Sequence, residues 1–197
     1  MSYGLALYGV DRVVGRAVRT AAAALMTVAL VTPAVRASWT VVNLHPSWWD
    51  HSYGYGVAGG QQVGVVAEYP FTGTHAALWS GSAGSFVDLH PTGWYRSRAW
   101  GVASGLQVGT VYDYSDNPRA ALWSGSASSF VNLHAFLGPE FTSSEARSIT
   151  QEHGFTYVVG FGFNSYMYRW EALMWVIPEP VSLLGLGLAL ALFPRRR

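Results

Sequence analysis

The chain has 197 residues, 50% hydrophobic, 15% aromatic and 12% charged, which is room for one ordinary domain and too little charge for a disordered tail or a nucleic-acid binder. All 12 basic residues are arginine; residues 38–177 hold five of them against nine Asp plus Glu, a formal balance of −4 that excludes a basic groove for phosphates. Cysteine is absent, and with it any disulfide framework, thiol nucleophile or thiolate metal site.

In chain order, residues 1–37 read as a secretory signal. Arg12, Arg16 and Arg19 form a positive region ahead of the 12 apolar-rich residues Thr20 to Val31, Pro33 ends that helix, and Val35 and Ala37 put small residues before a cut at Ala37–Ser38. At ~1.5 Å per residue this helix is too short for a hydrocarbon core of roughly 30 Å, so the reading is export, with a retained N-terminal helix as the alternative.

Residues 38–176 are a repeat. Ala76-Ala77-Leu78-Trp79-Ser80-Gly81-Ser82-Ala83 recurs 44 positions on as Ala120-Ala121-Leu122-Trp123-Ser124-Gly125-Ser126-Ala127. Ser85-Phe86-Val87-Asp88-Leu89-His90 recurs as Ser129-Phe130-Val131-Asn132-Leu133-His134, with an earlier copy at Thr40-Val41-Val42-Asn43-Leu44-His45. Gly56-Val57-Ala58 and Gln62-Val63-Gly64 recur as Gly101-Val102-Ala103 and Gln107-Val108-Gly109, and a worn third copy runs through Ser148, Val158-Val159-Gly160 and Ala172 to Trp175. Each unit of ~45 residues holds four β-prone runs parted by Gly, Ser and Pro, near 56–58, 62–68, 76–79 and 86–89 in the first. The expectation is an all-β domain of about three four-stranded repeats (47–89, 90–133, 134–176, plus an N-terminal strand at 39–45) between a signal helix and an apolar C-terminal helix. Because the domain opens on a fourth-strand copy and ends on a third, pairing of its two ends would close a propeller-like or trefoil-like ring. Two chains completing one six-bladed ring, a homodimer, and an open stack of sheets are the alternatives. The pattern G-V-A … Q-x-V-G … A-x-L-W … D-L resembles the HAF family of extracellular repeats, which implies an exported, propeller-like repeat without an agreed activity.

The tail, 177–197, has Pro178-Glu179-Pro180, the 13-residue apolar run Val181 to Phe193, and Arg195-Arg196-Arg197. A 13-residue helix reaches only ~20 Å, so it would tilt or thin the bilayer to span, and the arginines prefer the cytoplasmic side. In that order the three parts resemble the PEP-CTERM sorting signal of Gram-negative bacteria. The resemblance implies secretion machinery, transient membrane insertion, and an exosortase-type enzyme that acts near Pro-Glu-Pro to leave the protein at the cell envelope, the outer surface or in the matrix, commonly beside exopolysaccharide. A plain membrane anchor is the alternative.

Candidate chemistry is sparse. His45, His90 and His134 are repeat-equivalent and a threefold arrangement would gather them like a zinc set, but Asn43, Asp88 and Asn132 offer no constant carboxylate partner, and turn capping explains them as well. Asp113 and Asp116 lie in a turn-like stretch that has too few ligands for a known calcium loop. No nucleophile elbow or catalytic carboxylate pair is legible, so no catalytic residue, metal or cofactor is expected. All nine tryptophans fall between Ser38 and Ile177, with Trp79, Trp123 and Trp175 at one core position. Trp48, Trp49, Tyr53 and Tyr55 lie in the connection between a fourth strand and the next first strand, where the second unit has Trp94, Tyr95 and Trp100, with Arg96 and Arg98 beside them. These aromatics form either a shared sugar-stacking surface or the filling of a small core. The functions left are an exported polysaccharide binder, a self-associating structural module, and, behind them, a glycan-active enzyme.

Overall fold

The computed structural model describes residues 38–70 and 73–178. The signal helix, Ala37, Glu179, Pro180 and Arg195 to Arg197 lie outside the described residues, among which no helix is long and apolar enough to cross a membrane. The described residues from Val41 to Pro178 are all-β and form three antiparallel sheets in series. The first holds β1 (His51–Ala58), β2 (Gln61–Ala67), β3 (Thr74–Trp79) and β4 (Val87–Asp88). The second repeats it with β5 (Arg96–Ala103), β6 (Leu106–Tyr112), β7 (Pro118–Trp123) and β8 (Val131–Asn132). The third is a meander of the longer β9 (Phe141–Glu152), β10 (Phe155–Asn164) and β11 (Arg169–Pro178).

Strand alternation explains how the sheets stack. Val63, Ala76 and Leu78 point to one face of sheet one and meet Ala99, Val102, Val111, Ala121 and Trp123 of sheet two. The opposite face of sheet two, with Val108, Ala120 and Leu122, meets Ala146, Ile149, Val158 and Trp175 of sheet three. The outer face of sheet one packs Val66, Ala77 and Trp79 under Leu44, Trp49 and Phe86. The first strand of each later sheet lies across its predecessor, β5 on β1–β3 and β9 on β5–β7. With apolar side chains on both faces, the two inter-sheet layers form the core.

Three expectations need correction. Residues 39–45 are in no strand; Leu44 packs on sheet one, at the far side of sheet two from β11, so the two ends do not pair and no closed barrel forms. Sheet three has three strands, because the fourth-strand copy at 39–45, which was expected to complete it beside β11, does not pair with it. The first strand of each unit begins earlier than its Gly-Val-Ala core: Tyr53 and Tyr55 belong to β1, and Arg96, Arg98 and Trp100 to β5, rather than to connections. The glycines in those segments hid a β pattern that pairing to β2 and β6 enforces.

Candidate functional site

Each sheet repeats one β-bulge on its first strand, and β9 carries a second, at Thr142, that the other sheets lack. At the repeated bulge the pairing register skips Tyr55 in β1, Trp100 in β5 and Arg147 in β9, leaving these three as the extra residues. A bulge turns its extra side chain out of the alternation and is common where a strand must re-aim a group. The repeated glycine opposite each bulge makes it possible. A Cβ on Gly64, Gly109 or Gly160 would overlap the carbonyl oxygen of Tyr53, Arg98 or Glu145. The glycine after the bulge sets the sheet spacing: a Cβ on Gly56 would lie 2.8 Å from Trp100 O, and one on Gly101 would lie 3.1 Å from Arg147 O. Both motif glycines are therefore required by backbone approach.

The bulges line up. The Tyr55 and Trp100 rings stack at 4.7 Å, and the Arg147 guanidinium covers the other side of Trp100 at 4.3 Å, 5.2 Å from Phe161. Two residues earlier on each strand, Tyr53, Arg98 and Glu145 make a second column. Arg98 sits 5.7 Å from the Tyr112 ring and 6.0 Å from Trp100, and Arg96 lies 4.0 Å over Tyr112. Trp100 Nε1 donates to Thr110 Oγ1 (3.1 Å), whose hydroxyl donates to Glu145 (3.2 Å), and Glu145 pairs with Arg147 at 2.7 Å. Burial and the Glu145 carboxylate push the Tyr112 hydroxyl above its ordinary 10.0 against the pull of Arg98, Arg96 and Arg147, so it stays a donor. Arg96 is paired with Asp116. Arg98 alone in this cluster has no carboxylate partner among the described residues.

The three histidines follow a different logic. The Asn or Asp two residues before each accepts its backbone N–H: Asn43, Asp88 and Asn132 hold His45, His90 and His134 at 2.9, 2.8 and 3.0 Å. Each imidazole Nδ1 then meets a serine on the next first strand, Ser52, Ser97 and Ser144, at 3.0, 2.8 and 2.8 Å. The last two serines also accept the N–H of Ala76 and Ala120 from the preceding sheet. Asx turn, histidine and serine thus form a joint between consecutive sheets. The threefold gathering is not observed, and no group of three metal-ligating side chains occurs among the described residues. Burial, then His75, lowers the pKa of His90 from 6.5 against the pull of Asp88 and the Trp94 carbonyl; burial, then Arg119, lowers that of His134.

Of the predicted aromatics, Trp49 and Trp94 are repeat-equivalent and pack inward, edge-on against Phe86 and Phe130. Trp100 is enclosed in the bulge column. Trp48, at 67% exposure, Tyr53 and Tyr95 stay open to solvent. They do not form one continuous ring surface. Asp113 Oδ1 accepts the backbone N–H groups of Ser115 and Asn117, so this turn is closed by its own backbone. Arg147 escaped the sequence reading because the worn third copy puts arginine where the others have an aromatic, and Glu145 and Tyr112 because neither repeats the residue at its position in the other units. The residue preceding the Gly56, Gly101, Ser148 position would have found the column. No protein-family model matches the chain, and the comparison with curated proteins finds no match either.

Proposed function

We propose that this is an exported, non-enzymatic β-repeat protein of the cell surface or matrix that binds exopolysaccharide along the side of the stack formed by β1, β5 and β9. The observation that carries the reading is Arg98: a half-buried guanidinium held between Trp100 and Tyr112, without a carboxylate of its own, in a domain of net negative charge. An acidic or hydroxyl-rich sugar supplies the acceptors that this fork lacks, and the exposed rings of Tyr53 and Tyr55 supply apolar contact beside it. Arg147 and the Tyr112 hydroxyl extend the row of donors across neighbouring sheets. Export and sorting rest on the signal and tail sequences, which call for secretion machinery and an exosortase-type enzyme.

The test is co-sedimentation of the protein with exopolysaccharide from the producing organism while tryptophan emission is recorded. Retention with a shifted emission, reduced about tenfold by Arg98→Gln and by Tyr55→Ala at unchanged folding, is the expected result, a loss of ~1.4 kcal/mol each. Absence of retention over a wide range of concentrations overturns it. A second reading, a structural module that self-associates, is favoured by one observation: the outer face of sheet three is apolar and uncovered among the described residues.

A further inference from the structure

Repeat equivalence shows that both ends of the stack are unfinished, and unfinished in complementary ways. In sheets one and two, the positions that carry the next sheet are buried: Val63 and Leu78 are 0% and 4% exposed, Val108 and Leu122 0% and 8%. Their equivalents in sheet three, Val159 and Met174, are 45% and 61% exposed. Sheet three also has no fourth strand among the described residues, which leaves the outer edge of β11 without a strand partner there. Beside Trp175 there is an apolar cleft of about 400 Å³ lined by Leu133, Phe136 and Ile177 among others. By repeat position this is where Phe86 sits against Trp79, and Phe130 against Trp123, with ring centroids 6.1 and 6.0 Å apart.

The other end carries the missing piece. Val41-Val42-Asn43-Leu44-His45 is a third copy of the fourth-strand motif, yet it is in no strand, and Val41, equivalent to the half-buried Phe86 and Phe130, is 95% exposed. Ser52, equivalent to Ser97 and Ser144, receives no backbone N–H among the described residues. Val57, exposed on β1, matches Val102, which sheet one buries. Among the described residues nothing of the same chain satisfies these groups, because sheet two stands between the two ends.

We infer that residues 41–45 of one copy pair with β11 of a second copy as its fourth strand. The register follows from sheet one, where Leu78 faces Val87 and Ala77 faces Asp88: Met174 faces Val42 of the second copy and Leu173 faces its Asn43. Val41 of the second copy then fills the cleft beside Trp175, and its β1 covers Val159 and Met174 as β5 covers Val63 and Leu78. Ser52 of the second copy takes the N–H of Ala172, as Ser97 takes that of Ala76. The contact is strand addition, and it is heterologous: each copy gives one strand and receives one, so copies join head to tail. This rests on the self-association reading and is independent of polysaccharide binding.

The absence of native cysteine makes the register directly testable. The full chain, kept in mild detergent because of its apolar tail, is prepared as Val42→Cys and as Met174→Cys; the two are mixed, oxidised and separated without reductant. Facing positions in an antiparallel pair lie within disulfide reach. The expected result is a mixed dimer that outweighs both like-with-like dimers, together with a wild-type mass that rises with concentration in sedimentation. Val42→Pro, placed in a segment that is no strand in the single copy, returns the mass to that of one chain while its circular dichroism is unchanged. A monomer at every concentration overturns both the inference and the self-association reading. Association that persists in Val42→Pro without a mixed dimer overturns the inference alone and moves self-association to another surface. A mixed dimer that appears only after removal of residues 181–197 assigns the face to the chain's own tail and overturns it for the full chain.

Discussion

His90 and His134 do the same job with opposite tautomers. The Trp94 carbonyl can only accept, so His90 Nε2–H donates to it over 3.1 Å and the neutral ring's Nδ1 accepts the Ser97 hydroxyl. At His134 the Arg119 guanidinium donates to Nε2 at 3.1 Å, so Nδ1 carries the hydrogen and donates to Ser144. Either ring uses one donor and one acceptor, and burial opposes a second proton on both. Both pKa values are depressed, so unfolding binds protons once the pH falls below the unfolded value of ~6.5. Stability is therefore full above that value and is lost as the pH falls through it towards the folded-state values. Thermal melts between pH 8 and pH 5 are expected to show the midpoint falling below pH ~6.5; a flat profile would contradict the neutral joints. The tryptophans separate as cleanly. Trp94→Ala removes a ring packed on Phe130 and the core between sheets one and two, and is expected to cost about 2–4 kcal/mol. The exposed Trp48→Ala is expected to change stability by less than about 1 kcal/mol in the same denaturant titration.

At the scale of elements, the first strands and their bulges matter most, and they were the least legible. The short second and third strands show in the sequence because Val, Ala, Leu and Trp recur there without interruption. The first strands mix Gly, Ser, His, Arg and aromatics, and a bulge breaks the period of two on which strand reading depends. Only the pairing partner reveals that Tyr55, Trp100 and Arg147 are extra residues. The glycines of Gln-x-Val-Gly were visible as a motif, but their reason, a facing carbonyl at bond-like distance from any Cβ, is three-dimensional. Gly109→Ala must push the Arg98 carbonyl away, and the expected loss is about 1–3 kcal/mol with a disturbed Trp100 environment, read by denaturant midpoint and near-UV dichroism. Gly64 and Gly160 face the Tyr53 and Glu145 carbonyls just as closely, so alanine at either is expected to cost a similar amount.

At the scale of the whole molecule, each sheet touches only its neighbours in the chain, which makes the stack a short one-dimensional array. The count of three units and their all-β character were legible because the repeat is written in plain residues. The way the units meet was not, since the same motifs serve a closed ring and an open stack equally well. One position records the difference. Gly56 and Gly101 are small because a following bulge presses on them, and their equivalent in the last unit is the exposed Ser148, which no further sheet among the described residues approaches. The array also has consequences under load. The chain enters at sheet one and leaves from sheet three, so tension applied at the two ends must cross both His–Ser joints in turn. Sheets held only by their neighbours yield singly, and each one that opens releases roughly 45 residues, on the order of 150 Å of extended chain. A protein built this way lengthens in steps under strain and keeps its remaining sheets folded.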